Sequence, residues 1–305
     1  MEHTPTESGN VCIIIPAHNR KSITLGCLER LSKLGALDRY LTILVDDGSS
    51  DGTESSVREA FPSVYLIKGN GCLWWTGAIT LAMKEAYSQG ADYFVWLNDD
   101  CLLSSDSIHN LVSLCRSRPN LIAGAQGYSI DKSSQVVFGG KRKTWRGYRW
   151  LSIPEGQTAQ CDLLSGNLVC LPRSVVDEIG YPDVYNTPHY GGDALYLIRA
   201  QKANFHLWVD ARSPVYDTAP HDSPLYPQQW LIAEGSIWRL VKLVFTPQSG
   251  LSWRVWFWIN WESQGFWGVV MLLKKYLSVL LITILRTLPK SFRTRLHNRI
   301  VSLGV

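Results

Sequence analysis

The sequence predicts an α/β protein whose mostly parallel central sheet carries helices on both faces, followed by a C-terminal helical region. Short apolar strands alternate with helical stretches four times between residues 11 and 97. The strands are apolar almost throughout, as in the run from Val11 to Ile15, which is typical of parallel strands buried on both faces. The alternation supports the same architecture, because parallel neighbours are joined by helical crossovers.

The first half of the chain is the more regular. Its first strand is short, rich in β-branched residues and bounded by Pro16, and leucines then recur at three-residue spacing from Leu25 to Leu34. The β-branched run bounded by proline is typical of a buried strand, and the leucine spacing is typical of a helix. They predict strands at 11–15, 41–45, 64–67 and 93–97, with helices at 22–34, 51–60 and 76–88.

The second half is less regular but still alternates. Gly180 and Pro182 end a short predicted helix, since glycine favours a helix C-terminus and proline follows it. The predicted helices lie at 104–116, 173–179 and 193–202, the strands at 121–125, 167–171 and 205–209, and a β-like segment at 128–140.

Length and composition allow a substantial core. A chain of 305 residues with 46% hydrophobic residues is not disordered. Its seven cysteines contain no C-x-x-C pair, which argues against a disulfide framework or a zinc knuckle. The polar N-terminus lacks the features of a signal peptide, so we expect the active part to face the cytoplasm. We expect a disordered segment at 1–10, a main domain at 11–225 and a helical region at 226–305.

Charge is divided unevenly along the chain. Residues 263–305 contain no Asp or Glu and seven Lys or Arg, which leaves the first 262 residues at −3 because the whole chain carries +4. A mildly acidic body gives no indication of a nucleic-acid partner, whereas the basic tail predicts an acidic partner of its own.

The tail also differs in composition. Five tryptophans fall between Trp253 and Trp267, and an apolar run from Leu277 to Leu285 follows Lys274 and Lys275. Uninterrupted, that run is shorter than the roughly 20 residues that span a bilayer. Trp-rich basic helices lie in the headgroup layer, so we predict a monotopic anchor on an anionic membrane surface. The alternatives are a membrane span and a helical subdomain packed on the main domain or on a second subunit of a homo-oligomer.

Four successive loops follow the predicted strands and are polar or rich in glycine. In open parallel sheets, ligands bind outside the carboxyl ends of the strands, so these loops are candidates for one site. They are Pro16-Ala17-His18-Asn19-Arg20, Asp46-Asp47-Gly48-Ser49-Ser50-Asp51-Gly52, Gly69-Asn70-Gly71 and Asn98-Asp99-Asp100.

The fourth loop carries the strongest chemical signal. Asp99 and Asp100 end the apolar strand 93–97, and adjacent carboxylates repel unless a cation lies between them and an anionic ligand. A divalent metal that binds phosphate oxygens fits this arrangement. The alternative is that the two residues only open a turn or cap the following helix.

In this order the motifs resemble those of the family 2 glycosyltransferases of the GT-A fold, particularly the bacterial rhamnosyltransferase-like branch. The resemblance covers roughly residues 11–220. It rests on the four loops above, on Trp74-Trp75-Thr76-Gly77-Ala78, and on His189-Tyr190-Gly191-Gly192-Asp193.

The resemblance implies a role for each loop in holding a nucleotide sugar. Pro16, His18 and Asn19 with Asp46 and Asp47 would hold the nucleoside, and a carboxylate there can accept the imide N–H of uracil or thymine. Backbone can approach the ribose or diphosphate closely at Gly69 and Gly71. Trp74 and Trp75 are candidates for stacking on the sugar or base, with a place in the core as the alternative.

The resemblance also implies a metal, Mg²⁺ or Mn²⁺, held by Asp100 first and Asp99 second. Asn98 stands where many relatives have Asp, and it keeps a carbonyl oxygen that either metal accepts. His221 is a further candidate ligand, with an ordinary surface loop as the alternative. The metal would neutralise the leaving diphosphate.

The same resemblance makes Asp193 the general base for the acceptor hydroxyl, with inversion at the anomeric carbon. Gly191 and Gly192 would leave space for the acceptor. The basic run from Lys141 to Arg149 could contact a lipid diphosphate on the acceptor, with a solvated loop as the alternative. As an alternative, Asp193 only caps a helix.

The leading hypothesis is therefore an inverting glycosyltransferase that moves a sugar from a UDP- or dTDP-sugar to a lipid-linked or surface-polysaccharide acceptor at the cytoplasmic side of the inner membrane. The alternatives are a sugar-phosphate nucleotidyltransferase and a catalytically silent membrane-associated binding module.

Overall fold

A computed structural model describes residues 10–130, 135–218, 230–232 and 235–302. The chain divides into a catalytic-domain unit, Met1–Val184 with Gly192–Ala219, and a C-terminal unit, Tyr185–Gly191 with Pro220–Val305. Each is described separately below.

The catalytic-domain unit alternates strands and helices through its first half and is richer in strands afterwards. Its strands are β1 (Val11–Ala17), β2 (Leu41–Asp46), β3 (Tyr65–Lys68), β4 (Tyr93–Leu97), β5 (Cys101–Leu102), β6 (Leu121–Ser129), β7 (Val136–Phe138), β8 (Gly140–Thr144), β9 (Gly147–Trp150), β10 (Thr158–Cys161), β11 (Leu163–Leu164), β12 (Leu168–Pro172) and β13 (His206–Asp217). Its helices are α1 (Lys21–Lys33), α2 (Ala36–Arg39), α3 (Thr53–Ala60), α4 (Trp74–Ser88), α5 (Ser107–Ser117), α6 (Arg173–Ile179) and α7 (Gly192–Lys202).

The main sheet confirms the predicted fold class. Its strands follow the order β10-β13-β6-β12-β4-β1-β2-β3. β1 pairs in parallel with β2 and β4, β2 with β3, and β6 with β13, whereas β12 is antiparallel to both β4 and β6. All strands on this path except β12 and β10 therefore run the same way, which makes the sheet mostly parallel. Their carboxyl ends share one edge.

Helices cover both faces of the sheet, as predicted. Val95 and Leu97 of β4 join a buried cluster with residues of α1 and α5 on one face. On the other face, Trp96 directs its indole N–H at the sulfur of Met83 in α4 and contacts the ring of Tyr196 in α7. Successive side chains of a strand point to opposite faces, so the continuously apolar strand has a buried partner on each side.

Most of the elements that the sequence did not predict are β-strands that follow the predicted β-like segment at 128–140 and extend to residue 164. β8 and β9 form an antiparallel hairpin, and β11 pairs with β8 to complete a second, three-stranded sheet. β13 also continues to Asp217, past the predicted end at residue 209, after a register shift between Asp210 and Val215. Strands of two to five residues with mixed polar character carry little periodic signal, which explains why they were missed.

The C-terminal unit contains four helices within its described residues: α8 (Ile237–Phe245), α9 (Trp253–Gln264), α10 (Phe266–Leu285) and α11 (Lys290–Ser302). Lys274 and Lys275 divide the apolar sequence of this region, yet one helix of 20 residues runs through both segments. By length and composition this is the one helix among the described residues that is long and apolar enough to cross a membrane.

Candidate active site

Asp47 ties the loops after β2 and β3 to the start of α4. Its two carboxylate oxygens accept hydrogen bonds from the backbone N–H of Gly71 and of Trp74, both at 2.8 Å. The carboxylate is buried. Each of its oxygens accepts from a backbone N–H that would otherwise lack a partner at the start of a loop or helix. Asp47 therefore fixes the loop that was predicted to lie beside the nucleotide.

The loop after β1 is joined to the same network. The Nδ1–H of His18 donates to the carbonyl oxygen of Asp47 at 2.6 Å, so Nε2 is the nitrogen that accepts from the Asn19 side chain at 2.9 Å. The amide oxygen of Asn19 accepts from the backbone N–H of Ser50. Asp46, which is buried at the end of β2, accepts from the backbone N–H of Ser49. The predicted nucleoside residues thus belong to one connected network.

Two glycines in these loops have a steric reason for lacking a side chain. A Cβ at Gly69 would lie 2.7 Å from the Asp47 carboxylate, and a Cβ at Gly48 would lie 2.8 Å from the backbone nitrogen of Gly71. Gly48 and Gly71 also have positive φ values, +68° and +82°, that side chains disfavour. The sequence predicted that the backbone here approaches the nucleotide closely. In the structure, the backbone at Gly48 and Gly69 lies close to the neighbouring loop.

Trp75 meets the end of β4. Its indole N–H donates to the side-chain oxygen of Asn98 at 2.8 Å, and its ring lies edge-on to Trp96 at 5.5 Å. The oxygen of Asn98 that was considered as a metal ligand is therefore already hydrogen-bonded. Trp74 has a positive φ of 56° and is 44% exposed, so it is the more accessible of the two aromatic rings.

Asp99 turns toward α1. It accepts a hydrogen bond from the hydroxyl of Thr24 at 2.7 Å and pairs with Arg20 at 3.1 Å. Burial raises the pKa of Asp99 to about 6, although Arg20 and Thr24 act in the opposite direction. Both of its oxygens are therefore engaged by α1 and the residue before it.

Asp100 differs from Asp99 in one decisive respect. Arg20 binds its Oδ2 at 2.7 Å, but its Oδ1 is buried and has no hydrogen-bond partner. Burial works against the charge on the Arg20 guanidinium, yet the two carboxylates raise the pKa of Arg20 above its usual value. An unpaired buried carboxylate oxygen is costly unless a ligand completes it, so Asp100 Oδ1 fits a hard divalent cation.

The end of β13 also contributes to the carboxylate cluster. Asp217 is the register partner of Cys101, one residue after Asp100, and it is buried. Thr218 donates from both its backbone N–H and its hydroxyl to the carbonyl oxygen of Asp100, at 3.0 and 2.9 Å. These contacts fix the backbone of Asp100. Within the described part of the chain, no three His, Cys, Asp or Glu residues form a ready metal cluster.

Sequence reasoning missed Arg20, Thr24 and Asp217 as members of this site. Arg20 stands in a quoted motif, and its charge next to a predicted acidic rim was the available signal. Thr24 lies within a helix and Asp217 follows a strand whose end was placed at residue 209, so neither carried a local signal. Their positions depend on how α1 packs against the sheet and on the pairing of β13 with β5.

Asp193 lies in the first turn of α7. Its Oδ2 accepts a hydrogen bond from the backbone N–H of Gly166 at 2.8 Å, which fixes the carboxylate. A helix N-terminus favours a negative charge. The ammonium of Lys141 in β8 interacts electrostatically with Asp193; burial lowers the pKa of Lys141 and Asp193 opposes that shift.

The remaining predicted residues have the following places. Pro16 lies in β1 beside Val45, and Gly192 begins α7 as a buried residue. Gly191 belongs to the C-terminal unit, where a Cβ would lie 2.5 Å from the Ile259 side chain. Gly191 therefore permits close packing on α9, and its role at an acceptor stays a prediction. His221 lies outside the described residues.

Comparisons with known proteins agree with this fold. The family model described as "Glycosyl transferase family 2" matches residues 12–170, more than half of the chain. No curated protein sequence matches at a significant level.

Solved structures share the fold at low sequence identity. GalNAc-T7 with UDP, GalNAc and Mn²⁺ is 12% identical, with a TM-score of 0.58 over 70% of this chain and 45% of that one. The mannosyltransferase PcManGT from Pyrobaculum calidifontis, in complex with GDP-Man and Mn²⁺, is 14% identical, with a TM-score of 0.53 over 95% and 83%. S. aureus TarS is 12% identical, with a TM-score of 0.52 over 82% and 43%. The chain thus spans less than half of the first and third.

Proposed function

The chain belongs to glycosyl transferase family 2, and on that premise we propose that it is an inverting, metal-dependent transferase. It would move a sugar from a UDP- or dTDP-sugar to a hydroxyl of a lipid-linked or surface-polysaccharide acceptor. The rhamnosyltransferase-like branch is the proposed affiliation within the family. Support comes from two solved structures with the same fold as this chain, one in complex with UDP and Mn²⁺ and the other with GDP-Man and Mn²⁺.

The observation that carries the proposal is the unpaired, buried Oδ1 of Asp100 at the carboxyl end of β4. Arg20 occupies the other oxygen, so Oδ1 is the oxygen available to a ligand. We assign Asp100 as the principal holder of Mg²⁺ or Mn²⁺, with Asp217 nearby; Asp99 and His221 stay candidates. When bound, the metal supplies positive charge that stabilises the departing diphosphate.

Asp193 is the proposed general base. In a single displacement, the acceptor oxygen forms a bond to the anomeric carbon while the bond to the diphosphate oxygen breaks and its electron pair leaves with the diphosphate. The acceptor proton passes to Asp193 Oδ1 as the new bond forms. The Gly166 hydrogen bond to Oδ2 holds the carboxylate in one orientation, which lowers the entropic cost of the transfer.

The loop network proposed for the nucleoside depends on Asp47. Because Asp47 binds the backbone N–H groups of Gly71 and Trp74, the backbone of this loop is fixed before the nucleotide arrives. Fixed loops reduce the cost of ordering on binding. Asp46 and Asp47 stay the candidate acceptors for the imide N–H of the base.

A donor screen tests the proposal. UDP- and dTDP-sugars are incubated with the full chain and a lipid-linked acceptor fraction, and nucleotide diphosphate release is measured with Mn²⁺, with Mg²⁺ and with a chelator. We expect release that requires metal and is lost in Asp193→Asn. The anomeric configuration of the product, read by NMR, tests inversion separately.

Three other outcomes would contradict the proposal. Release of pyrophosphate from a nucleoside triphosphate and a sugar phosphate would identify a nucleotidyltransferase. Full retention of transfer in Asp193→Asn would refute the proposed base, and donor binding without turnover at any metal would favour a silent binding module.

A further inference from the structure

The outer face of α10 is an uninterrupted apolar surface. The side chains of Phe266, Leu273, Leu277, Leu280, Leu281 and Ile284, here called the α10 stripe, are each 57 to 79% exposed. At about 3.6 residues per turn they fall within about 100° of one another around the helix. A run of large exposed apolar side chains along a whole helix marks an interaction surface.

The opposite face of α10 is already occupied within the C-terminal unit. Val279 and Ile282 form a buried cluster with Trp230, Leu240 and Leu251. The Tyr276 hydroxyl donates to the carbonyl oxygen of Leu251 at 2.7 Å. The helix therefore has one covered face and one exposed face.

The two lysines in the middle of α10 do not interrupt the stripe. Lys275 points to the covered side, where its ammonium lies 3.2 Å from the centre of the Trp256 ring. Lys274 is exposed and lies at the edge of the stripe, about 20° beyond Leu281 around the helix. On the covered side, Arg286 donates to the carbonyl oxygens of Trp230 and Gly235.

We propose that the α10 stripe lies in the plane of an anionic lipid bilayer, with the helix parallel to the surface. A spanning helix would expose its whole circumference to lipid, which would require the α8 and α9 contacts and the Arg286 hydrogen bonds to be broken or buried in hydrocarbon. A helix that lies parallel to the membrane surface buries only its exposed face in lipid. The packing of the other face within the C-terminal unit therefore favours this orientation.

Charge identifies the lipid as anionic and argues against a second copy of the chain. Residues 263–305 carry seven basic and no acidic residues, and Lys274, Lys290, Arg295 and Arg299 are exposed. Two such faces would repel each other in a dimer, whereas each Lys or Arg near an anionic surface strengthens its attraction. α8 repeats the pattern, because Trp238, Lys242 and Phe245 are exposed at helical spacing.

Vesicle co-sedimentation of the full chain tests the proposal without using transferase activity. We expect binding to vesicles of phosphatidylcholine mixed with phosphatidylglycerol and much weaker binding to phosphatidylcholine alone. The double variant Leu273→Gln/Leu280→Gln should bind at least about a hundredfold more weakly, since each buried leucine contributes roughly a factor of ten or more. The matched control Ile130→Gln/Val184→Gln makes the same apolar-to-polar change at exposed sites of the catalytic-domain unit and should bind as the parent does.

Three results would overturn the proposal. Equal binding by the double variant and the parent would remove the stripe from the interface. Bound protein that resists alkaline carbonate extraction would show that α10 spans the bilayer. A discrete parent dimer in light scattering that the double variant loses would assign the stripe to a second copy. Unchanged far-UV circular dichroism of both variants excludes unfolding as the cause.

Discussion

The two units of this protein use burial in opposite ways. In the catalytic-domain unit, charged and polar groups such as Asp47, Asp99 and Asp100 are buried at the carboxyl edge of the sheet, and apolar side chains fill the interior. In the C-terminal unit, leucines of α10 remain exposed while Arg286 is buried. Burying charge and exposing hydrocarbon both cost free energy. Asp47, Asp99 and Arg286 offset that cost with hydrogen bonds inside the protein. Asp100 Oδ1 has no hydrogen-bond partner and the α10 stripe is exposed, so these two features mark the places where an outside partner is expected.

Asp193→Asn is the strongest test of the catalytic side of this contrast. The amide keeps an oxygen for the Gly166 N–H but cannot take the acceptor proton, so we expect kcat to fall by about 10³-fold. Asp162→Asn is the matched control, because Asp162 Oδ2 also accepts one backbone N–H at 2.8 Å, from Lys143. Steady-state rates with saturating donor measure both. Equal losses in the two variants would mean that Asp193 acts structurally.

Asp100→Asn tests whether the unpaired oxygen is the metal site. Its neighbour Asp99 supplies the control, since it shares Arg20 but has both oxygens engaged. We expect Mn²⁺ affinity, measured by calorimetry, to fall by more than about a hundredfold in Asp100→Asn and by no more than about tenfold in Asp99→Asn. The reverse order would make Asp99 the principal ligand.

Two leucines test the contrast between the units directly. Leu31 of α1 is fully buried, whereas Leu277 of α10 is 65% exposed. Leu31→Ala should lower the free energy of unfolding by about 2–5 kcal/mol, because it opens a cavity in the core. Leu277→Ala should change it by no more than about 0.5 kcal/mol in the absence of lipid. Chemical denaturation measures both, and a large effect at Leu277 would show that the stripe packs inside the protein.

Lys141 gives the smallest expected effect. Its folded pKa is lowered by burial, so the folded protein binds this proton less tightly than the unfolded chain, and stability should rise as the pH approaches the unfolded value near about 10.4. Denaturation from neutral to alkaline pH should show a smaller rise in Lys141→Met than in the wild type. Lys143→Met, at an exposed position of the same hairpin, should keep the wild-type slope. A parallel loss of slope in both variants would assign the effect to the hairpin as a whole.

The regular first half of the fold could be predicted because its signals are local. Apolar runs of strand length, the leucine spacing of α1 and the polar loops after each strand all follow from periods of two and 3.6 residues. The short hairpin from β8 to β9 and the extension of β13 could not, since cross-strand partners decide them. The electrostatic interaction of Lys141 with Asp193 joins residues 52 positions apart in sequence, and no local pattern encodes it.

By itself, the sequence determined the α/β class, the order of the loops, the acidic pair after β4 and the charge difference between body and tail. Only the tertiary structure decided which carboxylate oxygen is left unpaired, because Arg20 and Thr24 reach the pair from another element. It also decided that Lys275 turns toward Trp256 and leaves the α10 stripe continuous. Composition and period are properties of neighbouring residues, whereas the engagement of a given atom depends on which distant elements pack against it.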